Sequence, residues 1–109
     1  MQNLRVLHKS SIGYIMHCPC CNGFYLGYGV TGLKMTKEEV LGFTHELERR
    51  LNQWKARIDP LEKSFFFSTP TEEVKIILCY KEMDQWYQML ANGLLLLEVE
   101  QVMEDDEYI

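Results

Sequence analysis

The chain has 109 residues, 47% hydrophobic and 25% charged, a balance that builds one globular core and excludes a disordered chain or one that needs disulfide staples. A formal charge of −5 and a pI near 5.1 oppose a general nucleic-acid binder, and they disfavour an anionic membrane surface as well. Arg5, His8 and Lys9 interrupt the N-terminus, and the longest apolar run is Leu94–Leu97, so neither a signal peptide nor a membrane span is expected. A cytoplasmic location follows as the expectation, with thiols kept reduced.

In chain order, Leu4–Lys9 and Tyr14–Cys18 flank a Ser-Ser-Ile-Gly turn and predict a first hairpin. Phe24–Tyr28 and Gly32–Met35, around Gly29-Val30-Thr31, predict a second within residues 1–35. Val40, Phe43, Leu47, Leu51, Trp54 and Ile58 then recur at steps of three and four, which predicts a helix over 36–58. Thr36 followed by Glu39 has capping-box spacing, and Asp59-Pro60 ends the helix. A third hairpin is expected over 62–80, from Ser64–Ser68 and Val74–Tyr80.

The last helix is expected over 81–104, with Met83, Trp86, Leu90, Leu94 and Leu97 on one stripe. Asn92-Gly93 sits in its middle, where glycine costs about 1 kcal/mol relative to alanine and a kink is an open alternative. The acidic residues 105–109 are expected to fray. The expected fold class is therefore α+β: one antiparallel sheet of about six strands, three hairpins, packed against two helices in a single domain. Shifting the first helix by 43 positions places Thr36 on Cys79, Val40 on Met83, Phe43 on Trp86 and Leu47 on Leu90. The strands before it match too, so an internal strand–strand–helix repeat and a coincidence of two amphipathic patterns both stay open.

His17-Cys18-Pro19-Cys20-Cys21 carries most of the chain's chemical promise. Cys18 and Cys21 have the C-x-x-C spacing with which a tight turn aims two sulfurs at one ion, about 2.3 Å from zinc. Asn22-Gly23 supplies residues tolerant of left-handed geometry. Over about six residues this turn resembles the knuckles of zinc ribbons and rubredoxins. A closed zinc site needs four ligands, and a second C-x-x-C is missing from the sequence. The candidates to complete it are Cys20, His8, His17, Cys79, His45, or the same turn of a second copy. A reduced or degenerate knuckle kept only as a turn is the commoner reading of such a half-site. A redox reading of the pair is weaker, because strands flank the turn and a thioredoxin-type cysteine sits at a helix N-terminus.

Gly27-Tyr28-Gly29-Val30-Thr31-Gly32 is a literal G-x-G-x-x-G, yet a strand follows it where a dinucleotide site needs a helix. It reads as a hairpin turn. Arg49, Arg50, Lys55, Arg57 and Lys63 are explained by the dipole at a helix C-terminus, so nucleic acid is not expected. The residues present no catalytic constellation, and the chain is read as a non-enzyme.

Met89, Leu95, Leu96, Val99, Val102 and Met103 lie beyond the main stripe of the last helix and need a second packing partner. The leading expectation is a protein–protein contact domain, a homodimer through this helix. Next comes a zinc-knuckle protein with metal at Cys18 and Cys21 that supports protein or nucleic-acid binding, and then a thiol redox protein. Tyr14 to Cys21, Phe24 to Gly29, Leu33 to Phe43 and Val74 to Leu97 together make the chain resemble a family of short uncharacterised bacterial proteins of unknown function with an N-terminal C-x-x-C knuckle. That resemblance implies the architecture above and carries no activity with it. Cys20, inside the motif, leaves the choice of sulfur ligands open.

Overall fold

A computed structural model describes residues 4–21, 23–29, 31–54, 61–63, 65–70, 73–100 and 102, and the backbone alone at 101 and 103–106. The order is β1 (Arg5–Lys9), β2 (Gly13–Cys18), β3 (Gly23–Tyr28), β4 (Thr31–Thr36), α1 (Lys37–Trp54), β5 (Phe65–Ser68), β6 (Lys75–Leu78) and α2 (Tyr80–Asp106). The expected end of the first helix at Ile58, Asp59-Pro60, and the start of the third hairpin at Ser64 lie outside the described residues.

The six strands do not make one sheet. β1 to β4 form an antiparallel meander in sequence order, and β5–β6 form a separate two-stranded ribbon. The ribbon's alternation explains the split. Phe65, Phe67, Ile76 and Leu78 are buried while Phe66 and Ile77 are exposed, so one face is spent on the helices. Phe67 meets Phe43 of α1 edge-on with ring centroids 5.5 Å apart, and the Arg50 guanidinium lies 4.3 Å over the Phe67 ring. Arg50 also donates to the carbonyl of Phe66 at 2.7 Å. The third hairpin is thus held by α1 instead of extending the meander.

Each helix opens with a glutamate that reaches back to the amide three residues earlier, and at α1 alone the contact is reciprocal among the described residues. Glu39 Oε1 accepts the amide of Thr36 at 2.8 Å, and Thr36 Oγ1 accepts the amide of Glu39 at 3.2 Å, a reciprocal capping box. Forty-three residues on, Glu82 Oε1 accepts the amide of Cys79 at 3.0 Å. Of the residues aligned by that shift, Val40 and Met83, Phe43 and Trp86, and Leu47 and Leu90 are all core, whereas exposed Thr36 falls on buried Cys79 and exposed Trp54 falls on buried Leu97. Phe43 and Trp86 pack on each other, centroids 5.3 Å apart and nearly perpendicular.

The helix α2 runs unbroken through Asn92-Gly93. A Cβ on Gly93 would stand 2.5 Å from Ile15 Cγ2, so the missing side chain is what lets α2 settle onto β2. Tyr28 donates to Gln85 Oε1 at 2.6 Å and Tyr80 donates to the carbonyl of Leu51 at 3.1 Å, tying α2 to β3 and to α1.

The G-x-G-x-x-G segment is the β3–β4 hairpin, with Gly29 left-handed at φ 60° in its turn. Gly27 and Gly32 face each other across it. The Tyr14 ring lies directly over Gly27, where a Cβ would come within 2.1 Å of Cε1. An aromatic ring laid across paired glycines restores packing that they cannot supply.

Glu46 sits between two arginines, with Arg49 Nη2 at 2.6 Å and Arg50 Nε at 2.7 Å from its Oε1. Hydrogen bonds from Arg49 and then Arg50 hold its carboxyl well below the usual range, at about 2. Stability from this cluster is complete above the ordinary carboxylate pKa of about 4.5 and is lost as pH falls from there through 2. Glu46→Gln is expected to be less stable than the parent at pH 7 by at most about 1 kcal/mol after solvent screening, with the gap closing by pH 2. Urea melts at pH 7, 4 and 2 check this; a gap that does not change with pH would contradict it.

Candidate functional site: the cysteine turn

The strand β2 ends at Cys18, and Cys18 pairs with Gly23 at the start of β3, so Pro19, Cys20 and Cys21 form the connecting turn. Strand alternation sends His17 and Cys18 to opposite faces of the meander. His17 joins the helix-facing side, buried, with its ring 4.7 Å from that of Phe24. Cys18 points to the other side and is nevertheless fully buried, because the turn roofs it. Cys20 and Cys21 are exposed.

The sulfur of Cys18 is surrounded by donors. The Cys21 thiol donates to it first, the amides of Cys21 and Cys20 add to this, and the charge of Lys34 acts from β4. Together they outweigh burial, which acts in the opposite sense, and hold the Cys18 thiol below its ordinary pKa. Cys21 and Lys34 meet over Gly23: a Cβ there would lie 3.4 Å from Cys21 Sγ and 3.5 Å from Lys34 Cε. Cys21, Gly23, Lys34, Met35, Thr36 and Glu39 line a hollow of about 340 Å3 beside the turn. Lys34 did not stand out in the sequence. Reading the hairpin register back from the Gly29 turn would have placed it diagonal to Gly23 on the cysteine face.

The structure thus brings Cys18 and Cys21 together as the spacing predicts, with Cys20 in the same turn. The other named ligands are elsewhere. His8 lies on β1 opposite Ile15, just past a bulge, and His17 is on the far face. His45 is exposed in α1. Cys79 is buried at the start of α2, where its thiol and its amide both donate to Glu82. Among the described residues, no group of three or more His, Cys, Asp or Glu side chains could hold a metal ion. Within one chain the turn therefore offers two converging sulfurs, while tetrahedral zinc takes four ligands.

The second candidate surface is α2. Leu95, Leu96, Val99 and Val102 are exposed, Leu95 at 59% and Val102 at 54%. Met89 is a correction: it is buried in the core beside Leu90 and Trp86, because the helix is enclosed on more than one side at that level and opens to solvent only further on. The Met103 side chain lies outside the described residues. Among the described side chains, Leu97 is the last core residue of α2, which continues to Asp106. Among the described residues no helix is long and apolar enough to cross a membrane. Compared with known proteins, the chain matches no family model, no curated protein and no solved structure.

Proposed function

We propose that this is a non-enzymatic cytoplasmic interaction domain that self-associates through the far end of α2. The observation that carries the reading is the exposed run Leu95, Leu96, Val99 and Val102 on two successive turns. Steps of three and four gather these side chains on one side of the helix. Full burial of such a side chain from water is worth about 1.5–3 kcal/mol, and these are already about half covered, so each adds about 1 kcal/mol of driving force to a contact. Sedimentation velocity of the full chain is expected to show association at tens of micromolar, abolished in Leu95→Glu/Val99→Glu. A wild-type monomer throughout that range would overturn the reading.

A second reading is favoured by the donors around Cys18. Two amides and a neighbouring thiol stabilise a thiolate there, as a metal knuckle requires. Zinc at Cys18 and Cys21 would then draw its remaining ligands from a second copy of the turn. The same sedimentation runs separate the two readings. Association that needs one zinc per two chains and disappears with chelator supports the shared metal; association indifferent to chelator supports α2 alone.

A further inference from the structure

The four-stranded sheet has a second face that neither helix covers. The helices pack on the side of Ile15, Phe24, Leu26 and Met35. On the opposite side the strand register lays Val6, Met16, Tyr25 and Lys34 in one rung across all four strands. The neighbouring rung is Lys9, Tyr14, Gly27 and Gly32. Val6 is 49% exposed, and the Lys34 ammonium stands 5.7 Å from the centre of the Tyr25 ring. This face is apolar and aromatic, with a lysine at either side.

Its charge is set by an asymmetry that the net value hides. Residues 1–36 carry Arg5, Lys9 and Lys34 and no carboxylate, so all 16 Asp and Glu lie in residues 37–109; Arg5 is paired with Glu100 of α2 within the chain, which leaves Lys9 and Lys34 on the open face. The exposed stripe of α2 has the opposite character. Glu98 stands one turn from both Leu95 and Val102, and Glu104-Asp105-Asp106 follow. Two unpartnered apolar surfaces of opposite charge thus occur on one molecule. They cannot meet within a chain, because α2 is seated on the other side of the sheet, with Gly93 against Ile15.

We propose that the α2 stripe of one copy docks on the open sheet face of the next, in a head-to-tail contact. The proposal rests on the self-association reading and specifies its receptor. Residues 95–106 contain no lysine or arginine, so a twofold pairing of two α2 stripes offers their carboxylates no complementary charge. Docking on the sheet sets them against Lys9 and Lys34 and matches apolar to apolar surface. Such a contact uses different patches on the two partners, so it grows into open chains or closes into rings and does not stop at two. Complementary charge also makes the association sensitive to salt.

Two double variants of the full chain test this. Val6→Glu/Tyr25→Glu spoils the sheet face and leaves the stripe intact; Leu95→Glu/Val99→Glu does the reverse. All four positions are wholly or partly exposed, and circular dichroism melts verify that each variant is folded. Wild type is expected to grow beyond a dimer with concentration. Each variant alone is expected to be a monomer, and an equimolar mixture is expected to form a heterodimer that grows no further. Sheet-face variants that associate like wild type would overturn head-to-tail docking while leaving self-association through α2 standing. A mixture that stays monomeric would overturn it too. Wild type that is monomeric throughout would overturn both readings.

Discussion

Replacing Gly93 by alanine is expected to destabilise the domain, whereas the same change at Gly42 is expected to stabilise it. Both glycines are helical, and helix propensity alone favours alanine at each by about 1 kcal/mol. At Gly42 nothing lies within 4 Å of the added Cβ, so that gain stands. At Gly93 the Cβ would stand 2.5 Å from Ile15 Cγ2 and 3.4 Å from both Ile15 Cδ1 and Leu7 Cβ. Ile15 is fully buried and has no free volume to retreat into. Overpacking of this kind costs about 1–3 kcal/mol, which exceeds or cancels the propensity gain and leaves a net loss of about 1 kcal/mol. Urea midpoints at constant m-value read both changes. A Gly93→Ala variant more stable than the parent would mean that α2 does not approach β2 this closely.

Trp86→Ala is expected to be the most damaging of the changes considered, a loss of about 3–5 kcal/mol from a total stability that for ordinary domains is about 5–15. Trp86 is 2% exposed and joins three elements. Its ring lies 5.1 Å from that of Tyr28 on β3 and 5.3 Å from that of Phe43 on α1. Truncation leaves a cavity where the helices and sheet converge. Trp86→Phe keeps an aromatic ring and leaves a smaller cavity, so it is expected to cost less, about 1–3 kcal/mol. Trp86 Nε1 is buried without a hydrogen-bond partner among the described residues, so phenylalanine removes an uncompensated donor along with the lost volume. Thermal melts followed by circular dichroism check the pair. Equal losses for the two substitutions would show that the indole is held by its nitrogen.

Several features are legible in the residues themselves because their causes are local. Of the apolar steps expected on one face of α1, Val40, Phe43, Leu47 and Leu51 are buried, Trp54 is 38% exposed and Ile58 lies outside the described residues; the Thr36–Glu39 box closes as its spacing predicts. The G-x-G-x-x-G segment announces a hairpin because a strand follows it, and the cysteine turn falls between β2 and β3. Met89 was misplaced because a helix's periodic pattern does not reveal how much of its circumference is covered. Tertiary packing encloses α2 at that level, while Val99 and Val102 beyond Leu97 are exposed.

What the amino-acid order determines alone is therefore the set of elements, their caps and turns, and the nearness of Cys18 to Cys21. These depend on spacing over a few residues. The tertiary structure decided that β5–β6 would stand as a separate ribbon on α1, through contacts of Phe67 with Phe43 and Arg50 and of Phe65 with Trp54 that join residues far apart in the chain. It decided that Gly93 is a point of close approach and not a kink, since the reason lies in Ile15, seventy-eight residues away. It also left His8, His17 and Cys79 apart from the cysteine turn, because strand alternation and sheet membership set which side chains share a face.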